Sequence, residues 1–186
     1  AEERVIKFTR AVKKNLPTAT VEGIAGAIGC FGGESDVTAK RYEADFASNP
    51  PYNWAVAKDD PTAEGLFGGW GGFQAKYSIG LNQSAYQAGG KHWIGLGLGQ
   101  WTGPRAKALF DFARSKGMTW WDMDAQVQFM FSEGDANTAK AILSSHDSVA
   151  NNVTAWLTRW ERGGYDNIAK RQAYAQKYLP LIKKTF

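Results

Sequence analysis

The stretch Cys30-Phe31-Gly32-Gly33-Glu34-Ser35 ends an apolar helical pattern with two glycines and a carboxylic acid. A carboxylate at the C-terminal end of a helix faces the negative pole of the helix dipole, which opposes ionisation. Partial burial beside Ile28, Cys30 and Phe31 would act in the same direction, so both effects are expected to raise the proton affinity of Glu34. A carboxyl group that keeps its proton near neutral pH is what glycoside cleavage needs to protonate a leaving oxygen. Gly32 and Gly33 would let the backbone turn sharply and leave a groove clear of side chains in front of such an acid.

An acid of this kind needs a framework, and the hydrophobic pattern supplies a mainly α one. Residues 2–14 predict a helix with Val5, Ile6, Phe8 and Val12, broken by Pro17. A second helix starts near Thr18 or Thr20, either of which can cap it, and carries Ile24, Ile28 and Phe31 on one stripe. Its glycines Gly23, Gly26 and Gly29 are poor helix formers, and they make sense where another backbone packs closely against a buried helix. Pro104 opens a helix with Ala106, Leu109, Phe110 and Ala113, which Gly117 can end. Asp122 or Asp124 opens the next, with Val127, Met130 and Phe131 inward and Gly134 as its stop, although Ser132-Glu133-Gly134-Asp135 could end it sooner. Val149, Val153, Trp156 and Trp160 form the cleanest stripe, and a last helix runs from about Asn167 with Ile168, Tyr174, Tyr178 and Leu179 to near Pro180.

Between about residues 45 and 100 the periodicity fails. Ser48-Asn49-Pro50-Pro51-Tyr52-Asn53-Trp54 and the Gly-rich run from Asp59 to Phe73 mark turns and loops, with room for a short hairpin or small sheet. Long loops of this kind often carry function, so a groove wall is expected here. A chain of 186 residues without internal repeat or linker reads as one domain, residues 1–186. The single cysteine, Cys30, excludes an internal disulfide framework and reads as a small buried residue. His92 and His146 lack zinc-motif spacing, so neither metal nor cofactor is expected. No segment has the apolar length of a membrane span. The net charge of +4 favours anionic partners weakly. Lys7, Arg10, Lys13 and Lys14 read as a solvated helix face, without any nucleic-acid motif.

The segments Gly23–Ser35 (GIAGAIGCFGGES) and Gly95–Leu109 (GLGLGQWTGPRAKAL) together resemble the lysozyme-like superfamily, and specifically its phage tail lysozyme domains. The matching elements are Glu34-Ser35 at a helix end and Gly97-Leu98-Gly99-Gln100-Trp101-Thr102-Gly103, followed by Arg105 and Leu109. Residues 125–133 (AQVQFMFSE) are similar to the family's Gln-x-x-Phe helix. Residues 160–175 (WERGGYDNIAKRQAYA) are similar to its closing Trp-Glu-Arg segment with a later Arg. The four motifs occur in the family's order and span most of the chain. The run at residues 65–90 looks longer than the family's usual loop.

The resemblance implies a two-lobed helical domain with Glu34 at the cleft between the lobes, cleaving the β-1,4 linkage of bacterial peptidoglycan. It implies Glu34 as general acid and Gln100 as a residue lining the cleft beside the sugar. On its own chemistry, Gln100 suits a sugar contact and a buried amide tying two loops together about equally, because an amide both donates and accepts. Ser35, beside Glu34 in the matching Glu-Ser pair, is a candidate substrate contact. Trp101 reads as core. An inverting enzyme needs a second carboxylate about 6.5–9.5 Å away, and a retaining one about 5–5.5 Å. Asp36, Glu43, Asp45, Asp59, Asp60 and Glu64 are the candidates, and the resemblance favours Asp45, which follows the helix of Glu34 by about the interval seen in goose-type relatives. A lytic transglycosylase needs none, since the substrate's own 6-hydroxyl attacks, so both outcomes stay open. Tyr52, Trp54, Trp70 and Tyr165, in loops beside Gly or Pro, are candidate sugar platforms, whereas Trp156 and Trp160 read as core. The implied partners are peptidoglycan glycan strands and other phage tail components, in an extracellular or virion-associated setting. The competing reading is a non-catalytic wall-binding or structural tail domain with the same fold.

Overall fold

The computed structural model describes residues 1–39, 41, 95–101, 104–165 and 167–186, with Glu34, Ser35, Pro104 and Lys107 described by their backbone. Its regular elements are α1 (Glu2–Asn15), α2 (Val21–Ser35), α3 (Pro104–Ser115), α4 (Met123–Met130), α5 (Ala136–Leu143), α6 (Val149–Ala155), a π-helical turn (Trp156–Trp160) and α7 (Ile168–Thr185). Among the described residues there is no strand, and an antiparallel bridge pairs Leu96 with Trp101. The mainly α fold class expected from the sequence is therefore observed among the described residues. The chain clusters into two compact units, one of Ala1–Thr38 with Val127–Phe186 and one of Ala39–Gln126.

In the first unit α2 is central. Thr20 caps it, its hydroxyl accepting the Gly23 N–H at 3.0 Å. Ile24, Ile28 and Phe31 are buried, as is Cys30. Phe31 meets Phe8, Trp156 and Trp160 edge-on at 5.7, 5.6 and 5.8 Å between ring centroids, a geometry that adds to the gain from burying each ring. The glycine face is packed as the sequence predicts. A Cβ on Gly23 would collide with the Leu143 carbonyl at the end of α5. One on Gly26 would lie 2.7 Å from the Asn152 carbonyl carbon in α6, and one on Gly29 would lie 2.6 Å from the Arg171 carbonyl oxygen in α7. Each glycine costs the helix about 1 kcal/mol relative to Ala, and closer packing of three separate elements offsets that cost.

Several elements differ from expectation. α5 was not anticipated: it is an eight-residue helix burying Ala139, Ile142 and Leu143, too short for its period to stand out. α4 ends at Met130, before Gly134, because the Phe131 N–H reaches both Val127 O (3.3 Å) and Gln128 O (3.2 Å) as the chain leaves the helix. Its buried phenylalanine is accordingly Phe129, with Phe131 half-buried. The Val149–Trp160 stripe is buried but not continuously α-helical. Glu161 N–H pairs with Trp156 O at 2.9 Å, an i→i+5 bond, and the Trp156 and Trp160 rings stack at 4.5 Å. α7 passes through Pro180 instead of ending there. Pro180 and Gln176 are both exposed, so the carbonyl that loses its helical donor faces water. The buried face of α7 is Arg171, Ala175, Tyr178 and Ile182, with Ile168, Tyr174 and Leu179 at its margins.

Candidate functional site

Glu34 lies in the last turn of α2. Asp36 closes the helix in the left-handed region at φ 53°, its N–H bonded to Gly32 O at 3.1 Å. Val37 follows at φ 57° and is fully buried. Left-handed backbone at a β-branched residue costs roughly 1–3 kcal/mol, so tight surroundings must hold it. The chain thus turns sharply just after Glu34-Ser35, at Asp36 and Val37 and not at the two glycines.

Gly32 and Gly33 have another use. A Cβ on Gly32 would fall inside the Tyr174 ring, and one on Gly33 would lie 3.0 Å from Arg171 Cγ. On this face the glycines admit two α7 side chains instead of clearing space. Arg171 is 4% exposed, and its Nη1 donates to Cys30 O at 3.1 Å and to Glu161 Oε2 at 3.3 Å. In the i→i−4 pattern of α2, Cys30 O is also the acceptor for the Glu34 N–H. Arg4 Nε donates to Asp36 O at 2.8 Å. Arg4 and the Glu161-paired Arg171 thus each bring a guanidinium onto a backbone carbonyl at the end of α2. The helix end on which the sequence argument rested is not an isolated one. Burial pushes the Tyr174 phenol well above its usual range, and the Asp36 carboxylate acts in the same direction.

In the second unit the Gly97–Gln100 turn is closed by reciprocal bonds between Leu96 and Trp101, 2.9 and 3.0 Å. Gln126 ties this turn down. It is fully buried; its Oε1 accepts the Leu98 N–H at 2.9 Å, and its Nε2 donates to Ala39 O at 2.9 Å and Trp120 O at 2.8 Å. Gly97 has φ +73°, and a Cβ there would lie 2.6 Å from Gln126 Oε1. The buried amide joining loops is thus Gln126, the Gln of the Gln-x-x-Phe helix. Gln100 is half-buried at φ 47°, with its Nε2 on Gly97 O at 3.0 Å. Trp101 is core, 1% exposed.

Of the residues predicted for the site, Glu34 and Ser35 share the last turn of α2, and Gln100 belongs to the second unit. Tyr165 is 70% exposed between the π-helical turn and α7. Asp45, Tyr52, Trp54 and Trp70 lie outside the described residues, as do Glu43, Asp59, Asp60 and Glu64. Asp36 is an exposed cap. Glu161 and Arg171 lie in the segment similar to the family's closing motif and Tyr174 on the stripe of the last helix, but none of the three is legible from the sequence as a neighbour of Glu34. The density of glycine on α2 announced a close neighbour without naming it. Among the described residues no group of three or more His, Cys, Asp or Glu could hold a metal ion, and no helix is long and apolar enough to cross a membrane.

The phage tail lysozyme family profile matches residues 7–182, nearly the whole chain. The chain belongs to the phage tail lysozyme family. No curated protein matches the sequence. The phage tail lysozyme match covers the end of α2, the Gly97–Trp101 turn, α4 and the segment from the π-helical turn into α7. Membership points to a lysozyme-type enzyme that works on the bacterial cell wall in a phage tail setting.

Proposed function

We propose that this chain is a muramidase that cleaves the β-1,4 MurNAc–GlcNAc linkage of peptidoglycan with Glu34 as general acid. The observation that carries this reading is the position of Glu34: in a chain matched to the phage tail lysozyme family over residues 7–182, it stands in the last turn of the buried central helix, directly before a strained reversal. Glu34 protonates the glycosidic oxygen as the bond to the MurNAc anomeric carbon breaks. Asp45 is the proposed second carboxylate if water completes the reaction. Ser35, Gln100, Tyr52, Trp54, Trp70 and Tyr165 are the proposed sugar contacts. The 186 residues act as one catalytic domain, virion-associated and presented to the wall by other tail components.

The test is digestion of purified peptidoglycan by the native protein and by Glu34→Gln, with mass spectrometry of the products. Loss of a general acid lowers turnover by about a hundredfold to ten-thousandfold. Reducing-end MurNAc from the native protein alone supports hydrolysis with Glu34 as the acid. Anhydro-MurNAc instead assigns transglycosylation and removes the need for Asp45. Equal release by both proteins would sink the assignment of Glu34. Binding to walls with no release by either would favour a non-catalytic wall-binding module.

A further inference from the structure

We infer that Arg171, held by Glu161, is a positioning residue for the reaction: it fixes the last turn of α2 and with it the acid Glu34. This rests on the proposed role of Glu34. The side chain of Arg171 crosses the bare backbone at Gly33, and its Nη1 spans Cys30 O (3.1 Å) and Glu161 Oε2 (3.3 Å). The carbonyl it holds is the one that pairs with the Glu34 N–H, so any shift of the guanidinium is passed to the residue that carries the acid. Glu161 is itself placed by the π-helical turn, whose i→i+5 bond from the Glu161 N–H to Trp156 O sets where the carboxylate emerges.

Stability alone is a poor reason for this arrangement. The side chains of Arg171 and Glu161 are 5% and 18% exposed, and ion pairs this buried can often be replaced by apolar residues without loss of stability. The face that holds Arg171 otherwise consists of Ala175, Tyr178 and Ile182, so an apolar residue would pack there. What an apolar residue could not do is hold Cys30 O in place or set the charge at the helix end. Among the described residues, the charged and titratable groups around this turn include Arg4 of α1, the buried Cys30 thiol of α2, Asp36 at the cap, Glu161 after the π-helical turn, and Arg171 and Tyr174 of α7. The Glu161–Arg171 pair presents opposite charges that balance each other, and removing either one changes the field at Glu34 in a known direction.

The experiment compares Arg171→Met, Arg171→Lys and Glu161→Gln with the native protein for muropeptide release and for sedimentation with walls, each as a function of pH. Displacement of a catalytic group by a fraction of an ångström to 1 Å costs about tenfold to a hundredfold in turnover. Arg171→Met and Glu161→Gln should therefore lose about tenfold or more in release while still binding walls, and Arg171→Lys should recover part of it. Glu161→Gln leaves the guanidinium unbalanced, so the alkaline limb of the release profile should move to lower pH. Arg171→Met leaves the carboxylate, so its limb should move to higher pH. Near-native release by folded Arg171→Met, or limbs moving the same way in both variants, would overturn the inference. Should Arg171→Met fail to fold, Glu161→Gln alone carries both readouts, and native-like release or an alkaline limb that does not move to lower pH in that variant would overturn the inference. If Glu34→Gln is inactive while these variants are native-like, the acid stands and the positioning role falls. An active Glu34→Gln removes the acid itself.

Discussion

Gln126 in one compact unit and Arg171 in the other are both buried side chains that hold backbone carbonyls, and they do it with different chemistry. Gln126 is neutral. Its amide meets Leu98, Ala39 and Trp120, using one acceptor and both donor hydrogens. Arg171 is charged and comes with a carboxylate, Glu161, as well as a carbonyl, Cys30 O. A neutral tie places a loop and leaves no field behind. A charged tie placed at the end of a helix both fixes the backbone and sets the electrostatics of whatever side chain stands there. The difference marks the Gly97–Trp101 turn as a place that must be held in shape, and the end of α2 as one where charge matters as well.

The comparison is sharpened most by removing the neutral tie. Gln126→Leu removes the side-chain partner of the Leu98 N–H and the Trp120 carbonyl and leaves the Ala39 carbonyl with the Arg41 N–H alone, and should cost about 3 kcal/mol in urea unfolding. That loss should be nearly independent of salt and pH; a strong dependence on either would mean the two ties do not differ as described. Gly97→Ala attacks the same turn through its backbone, combining φ +73° with a Cβ 2.6 Å from Gln126 Oε1, and should cost about 2 kcal/mol by the same measurement. The smallest effect concerns the charged region. The Tyr174 phenol is raised by burial, so the unfolded chain loses this proton first as pH climbs past its ordinary value near 10. The contribution is whole below that pH and falls as pH rises toward the folded value. Tyr174→Phe should thus change stability little at pH 8 and make it decline less steeply between pH 9 and 11. An unchanged slope would show that this phenol does not titrate differently in the two states.

Much of the fold was legible because periodicity is a local property. The stripe of Ile24, Ile28 and Phe31, the cap at Thr20, the burial of Cys30, Trp101, Trp156 and Trp160, and the close approach at Gly23, Gly26 and Gly29 all follow from spacing and residue size. What was not legible depended on distant parts of the chain. Arg171 interrupts an apolar stripe, and its burial follows only once its partners, Cys30 and Glu161, are known. Pro180 reads as a stop until its solvent-facing position in α7 is known. Gln100 and Gln126 carry the same amide, and nothing local tells which of the two is buried. For the candidate site, Glu34 and its place on α2 were legible, but not the side chains packed against that turn, because they arrive from residues 161–174.

The three notches at Gly23, Gly26 and Gly29 have one more consequence. A smooth helix can creep along its axis like a screw, turning about 100° for each 1.5 Å of travel. In α2 such a step would swing Ile24 or Ala27 toward the carbonyls of Leu143 and Asn152, where no methyl group fits. Three separate elements therefore act as detents on one shaft. The residue at its tip has a single angular setting, and a mutation anywhere along the notched face should be felt at the far end as a change of aim.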